Sequence, residues 1–388
     1  MIVKQEIRKI IHTPALWVFV AIALVVNTVY IFSSIQSSTI DYYYELNKTT
    51  GTVYDEGFLD RLHTVPQPSE DEDFEKNLLY LSYEAAAMEA NEPFEAIRGE
   101  ILRKQIPSNR FLSSSPLAQK IIDWKYNLLE SVIDKKIAAK DSEDVYFAYN
   151  SEMIQEMIFT NYHRLLGAEI VVLFILMMLY AIGFENMFNT ESVVYTTRRG
   201  RKSVIQKGVA ALISALILGL IVYALSSLLM FSVNDFSGVW SQNISAQYNL
   251  MHFPQWGEYP FLTWESMTVG VYAIACAGVL FLHGFLAGIF AAVFALMIRN
   301  VYIAFCAIFA VSFLHFILIF SSNLPAFLFD VLLIPTVTQI LYCQWWFTDG
   351  GPYALLPHFE IFYPIICIVL LLPILLFAYR HFRRKEFV

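Results

Sequence analysis

Residues Glu185 to Lys207 read ENMFNTESVVYTTRRGRKSVIQK, a short polar and basic segment between two long apolar runs. Five of its side chains are cationic: Arg198, Arg199, Arg201, Lys202 and Lys207. Short loops rich in Lys and Arg stay on the cytoplasmic side of a bilayer, so this segment sets the orientation of the rest.

Working outward, the composition agrees. The chain has 388 residues, 57% hydrophobic and 15% charged, with a mean hydropathy of +0.52. Soluble domains carry roughly a quarter charged residues, so this pattern belongs to a membrane protein. The formal net charge of -8 averages two unlike regions. Between Ile35 and Arg164 there are 23 acidic and 13 basic residues. The other 13 basic residues are Lys4, Arg8, Lys9, the five above, Arg299, Arg380, Arg383, Arg384 and Lys385. One topology places all of them inside.

Residues 1–13 are expected to form an amphipathic helix at the cytoplasmic interface. Ile2, Val3, Ile7, Ile10 and Ile11 recur at helical spacing around Lys4, Arg8 and Lys9. Pro14 opens the first spanning helix, residues 14–34, read as retained; a cleavable signal peptide is the lesser reading. Residues 35–164 read as a mostly helical extracellular domain. Helical patterns there run over Asn77 to Arg103, Leu117 to Ala139 and Val145 to Arg164. Residues 165–388 carry helices two to six: Leu165 to Phe184, Gly208 to Val233, Met267 to Ile298, Val301 to Ser321 and Ile361 to Tyr379. Phe327 to Phe347 is apolar but holds Asp330, Pro335 and Gln339. Counting it as a span would put RHFRRK outside, so the segment 325–347 reads as a re-entrant outer element. The fold class is an all-α polytopic membrane protein with six transmembrane helices.

No GxxxxGK[ST], GxSxG or HExxH occurs, which argues against an enzyme. Cys276, Cys306, Cys343 and Cys367 avoid the acidic domain, which excludes a disulfide framework there. No Cys/His cluster has metal-ligand spacing, and no metal is expected.

The order Glu191, Tyr195-Thr196-Thr197, Gly200-Arg201, Lys207 resembles the inner loop between the second and third helices of type-2 ABC transporter permeases. There an acidic residue precedes a short coupling helix, and a Gly-Arg step leads to a Lys opening the next helix. FPQWGEYPFLTW before the fourth span also resembles outer loops of bacterial members. The resemblance covers the whole chain in layout. It implies the transmembrane subunit of a bacterial ABC exporter in the cell membrane, multi-pass, with both termini cytoplasmic. It implies a second permease copy, homo- or heterodimeric, and separate ATPase subunits. ATP and Mg would sit on the ATPase, this chain would bind no cofactor, and neither catalysis nor nucleic-acid binding is expected. The substrate would be amphipathic or hydrophobic: a peptide antibiotic, a lipid-like molecule or a drug.

Under that resemblance Glu191, Thr197, Arg198, Gly200, Arg201 and Lys207 couple the chain to the ATPase. Arg198, Arg199 and Arg201 supply ion-pair donors, and Gly200 permits the turn between elements. A plain topology-holding loop is favoured on charge alone; the residue order favours coupling. Helix-packing or path candidates are Glu169, His283, Gly284, Gly288 and His315. Glu169, a turn into the second helix, is read as reaching the headgroups, although intramembrane acids are functional candidates by default. His283 and His315 read as interhelical glue, and Gly284 to Gly288 is a GxxxG packing pattern. The outer-loop tryptophans read as an interfacial belt. The competing function is a non-transporting sensor or scaffold whose outer domain binds a partner. A secondary transporter would need midplane charges or broken helices in both halves, and neither is seen.

Overall fold

The computed structural model describes residues 2–33, 37–71, 73–89, 116–141, 144, 156–196, 198–234, 236, 238–246, 250–253, 257–319, 336–350, 354 and 356–384. Thr197, Lys385, the stretches 90–115 and 145–155 of the expected domain helices, and 325–335 of the expected re-entrant element lie outside these residues.

The described chain is predominantly helical. It begins with α1 (Ile2–Ile11) and α2 (Pro14–Ser33). Four helices follow before the second span: α3 (Ser37–Thr50), α4 (Phe58–Leu62), α5 (Phe74–Glu89) and α6 (Pro116–Ala139). A π-helical stretch, Glu156–Tyr162, leads into α7 (His163–Met187). Then come α8 (Glu191–Tyr195), α9 (Arg198–Val233), the antiparallel strands β1 (Leu250–Phe253) and β2 (Gly257–Pro260), α10 (Val269–Met297), α11 (Val301–Ile319), α12 (Thr336–Leu341) and α13 (Phe359–Arg384). The strands fall in the aromatic loop before α10 and make a small exception to the all-helical expectation.

Six described helices are long and apolar enough to cross a membrane: Pro14–Ser33, Met157–Met187, Gly200–Val233, Val269–Met297, Val301–Leu318 and Phe359–Arg384. Local chemistry sets their ends. Pro14 starts α2, where a missing N–H costs nothing. Thr268 Oγ1 accepts from Val271 N and caps α10. Asn300 Oδ1 accepts from Tyr302 N at 2.9 Å and Ile303 N at 3.2 Å, which starts α11 directly after α10 ends.

The second and fourth spans form the centre of the bundle. Of their apolar windows 61% and 67% are buried, against 11% for the fifth. Gly284 and Gly288 permit that approach. A Cβ on Gly284 would lie 2.8 Å from Phe174 of α7, and one on Gly288 would lie 2.8 Å from Leu212 of α9.

At one end of the bundle, here termed the domain end, α3, α4 and α5 pack around Phe58 and Tyr83, both fully buried. The Tyr83 hydroxyl donates to Asn47 Oδ1 at 2.8 Å. Two buried lysines of α6 fasten this domain to distant segments. Lys125 Nζ donates to Asp349 O at 2.8 Å and Ala354 O at 2.9 Å. Lys136 Nζ contacts Asp141 at 3.2 Å, and Ser245, Thr263 and Glu265 O at 3.3 Å.

The described part of the expected re-entrant segment is α12 and a 3₁₀ turn, Cys343–Trp345, too short to span. Protein covers it: Arg164 donates to Leu341 O and Gln344 Oε1. The expected tryptophan belt is corrected here. Trp264, Trp345 and Trp346 are buried inside the protein, with Trp346 stacked on His283 at 5.7 Å. Stacking on His283 helps to remove Trp346 from solvent and lipid, and Trp264 meets the His358 ring at 5.8 Å. Trp256 lies outside the described residues.

Candidate functional site

The opposite end of the bundle, here termed the basic end, holds the segment quoted first. Asn189 adopts φ 55°, the left-handed conformation that ends α7. Thr190 N then donates back to Glu185 O at 2.8 Å, and α8 opens at Glu191. An acidic residue in a first helical turn is favoured by the N-terminal dipole. The next turn falls at Thr196, before Arg198. Gly200 therefore makes no turn; it is the third residue of α9, because the basic run continues as helix into the third span.

Glu185, nearly buried at the end of α7, is the centre of the arrangement. It pairs with Lys207 of α9 and with Lys9 of α1, the latter at 3.3 Å. Its Oε2 also accepts the Tyr195 hydroxyl of α8 at 3.0 Å. Lys9 lies over the Phe184 ring at 3.2 Å and reaches Glu6 at 3.6 Å. Burial, and then the charge of Glu185, push the Tyr195 phenol far above its ordinary range, so it remains a donor at any physiological pH.

Glu191 makes a second junction. It pairs with Arg299 between α10 and α11, and accepts from Asn186 Nδ2 at 3.2 Å. Arg201 makes a third. Its Nε donates to Tyr195 O and its Nη1 to Arg383 O of α13, both at 2.7 Å. The Tyr195 ring meets Phe382 of α13 edge-on at 5.1 Å. The five-residue α8 thus touches α7, α9, α13 and the junction between α10 and α11, and reaches α1 through Glu185. Displacing it strains charged and hydrogen-bonded contacts on all of them. That is the mechanical capacity of the site.

Of the coupling residues expected from sequence, Glu191, Arg201 and Lys207 are brought into this cluster and Gly200 lies beside it. Only the helical backbone of Arg198 is described, and Thr197 is outside the described residues. Arg201 directs two of its donors to carbonyls of its own chain. The described outward surface of the segment is mixed: Val193 is 74% exposed and Phe188 57%, beside exposed Asn189, Thr190, Ser192 and Thr196. Sequence reading missed Glu185, Lys9 and Arg299 as partners. A signal existed: an acid closing one apolar run and a lysine opening the next sit at similar depth. The amphipathic α1 helix turns Val3, Ile7 and Ile10 into the core beside α9 and leaves Lys4, Arg8 and His12 exposed.

The path candidates lie elsewhere. His283 is fully buried in α10, and His315 is part-exposed on α11. Glu169 does not reach outward. Its Oε2 accepts from Asn27 Nδ2 at 2.9 Å, within the bundle. Among the described residues no cluster of His, Cys, Asp and Glu could hold a metal.

Compared with known proteins, the chain matches no family model, no curated protein and no solved structure.

Proposed function

We propose that this chain is the permease subunit of an ATP-driven exporter, with its basic end in the cytoplasm and its ATPase on a separate subunit. One observation carries the reading. A short helix, α8, touches α7, α9, α13 and the α10–α11 junction, and reaches α1 through Glu185, while Val193 on its far side and the neighbouring Phe188 are exposed. A partner that grips the exposed side moves the bundle through the linked side. The cargo is amphipathic or hydrophobic, and a second copy completes the transporter.

The test is co-purification from native membranes, with mass spectrometry of what remains bound. A stoichiometric ATPase is expected, and Val193→Asp is expected to lower its recovery about tenfold, a loss of roughly 1.4 kcal/mol. Val193 is largely exposed, so insertion and melting temperature should be unchanged. Recovery of no ATPase from native membranes would overturn the reading.

A second reading, a sensor or scaffold, is favoured by a cavity of about 640 Å³ in the domain, lined by Asp41, Tyr44, Glu45 and Asn47 among others. A stable partner bound to α3 to α6, with no ATPase, would favour it.

A further inference from the structure

Three spans bury polar groups at one level. Asn27 lies six residues before the end of α2, Glu169 six residues after the start of α7, and Ser226 seven residues before the end of α9. At 1.5 Å per residue, each is about 10 Å inside the domain end of its helix. Asn27 is 1% exposed, and its Nδ2 is shared between Glu169 Oε2 and Ser226 Oγ, each at 2.9 Å.

This spends both amide hydrogens of Asn27 and leaves its oxygen. Asn27 Oδ1 is buried without a hydrogen-bond partner. Glu169 is half-buried, and Asn27 is its one described hydrogen-bond partner. No cation of the described chain neutralises it. The α2 helix has no Lys or Arg, those of α9 lie at the basic end, and Arg164 is turned to Leu341 and Gln344. Two turns before Glu169 on the same helical run, Tyr162 stacks on Tyr30 at 6.3 Å and bonds Ser227 Oγ, next to Ser226, at 3.3 Å. Around this level Val26, Val29, Leu225 and Leu228 are exposed along α2 and α9.

A carboxylate in apolar surroundings needs a counter-charge, and a buried amide oxygen needs a donor. Tyrosine faces attract cations. One group answers all three needs: a protonated primary amine, which supplies both charge and N–H donors. A quaternary ammonium supplies only the charge. The flanking apolar side chains suit a hydrocarbon tail.

We propose that Asn27, Glu169 and the adjoining tyrosines form a binding site for the protonated primary amine of an amphiphile, entered from the apolar surface between α2 and α9. The site rests on the exporter reading only in making that amphiphile a cargo. A lipid ethanolamine headgroup and a soluble alkylamine share the required chemistry.

The experiment measures equilibrium binding of radiolabelled dodecylammonium to the purified full chain in dodecyl maltoside, without any ATPase. Wild type is expected to bind dodecylammonium in preference to dodecyltrimethylammonium, and both in preference to dodecanol. Glu169→Gln, nearly isosteric, is expected to weaken dodecylammonium binding at least tenfold and leave dodecanol partition unchanged. Glu169→Asp should retain most of the binding, which separates loss of charge from loss of fold; melting temperatures provide a second check. Displacement by phosphatidylethanolamine would identify a lipid source, and failure to displace would identify a soluble amphiphile. Equal binding by wild type and Glu169→Gln, or by amine and alcohol, would overturn the site. Because the assay needs no partner, its failure is distinct from failure of the ATPase co-purification.

Discussion

The two ends of the bundle hold buried charge in different ways. At the basic end, cations meet carboxylates: Glu185 between Lys9 and Lys207, and Glu191 against Arg299. At the domain end one such pair, Lys136 with Asp141, stands beside two charges held by neutral groups: Lys125 against the carbonyls of Asp349 and Ala354, and Glu169 against the amide of Asn27. Paired charges fix elements relative to one another, because removing one leaves the other stranded. Charges held by neutral dipoles are weakly neutralised and can respond to protons or ligands. The first arrangement suits transmission of force, and the second suits recognition.

The largest expected effect breaks the first arrangement. Glu185→Gln leaves Lys9 and Lys207 facing each other with no carboxylate between them, and should destabilise the chain by about 3–5 kcal/mol, read as a lowered unfolding midpoint in detergent. Adding Lys207→Met should recover part of that loss, since the two sites are in contact. A double variant no better than the sum of its singles would show that the pair is not coupled.

The second effect sharpens the contrast through pH. Burial is the larger influence on Lys125 and lowers its pKa from 10.5 to about 8; the Asp349 carboxylate opposes it. Between those values the unfolded chain binds more protons than the folded one, so stability should rise as pH increases from about 8 to 10.5. Lys125→Met should remove that rise. Comparing the two midpoint-against-pH curves isolates Lys125 from the tyrosines that titrate nearby. Identical slopes would show that Lys125 stays charged in the fold over the whole range.

The smallest effect is local to the basic end. Asn300→Ala deprives Tyr302 and Ile303 N of their cap and should cost about 1 kcal/mol without disturbing the Glu185 group. If it also reduced ATPase recovery, the Arg299–Glu191 pair would depend on how α11 is started.

Much of this architecture is legible in the sequence, because bilayer thickness imposes a length on apolar runs and charge bias imposes a side. Pro14 and Arg299-Asn300 marked helix ends by chemistry that needs no tertiary partner. The lysines of α6 could not be read that way. In IIDWKYNLLESVIDKK, Lys125 and Lys136 look like members of a solvated face, and their acceptors arrive more than a hundred residues later, at Thr263 and Asp349. Arg201 was legible only as a cation in a basic loop; the carbonyls it satisfies lie at Tyr195 and Arg383. Trp345 and Trp346 followed the statistics of membrane ends, which carry no information about His283 beneath them. At the candidate site, residue order marked the place, and tertiary contact decided which atoms meet.

The bond between Lys9 and Glu185 also has a timetable. The two residues are 176 apart in sequence. At about 5–20 residues per second, synthesis separates them by roughly 9–35 s. Lys207 and the body of α9 arrive later still. Throughout that interval α1 has been made but its dock has not, and an amphipathic helix in that position rests on the membrane surface. The apolar face of α1 thus has the membrane interface as its partner while the chain is being made, and α9 afterwards. The docked helix of the finished fold is a latch that closes only after the third span has been delivered.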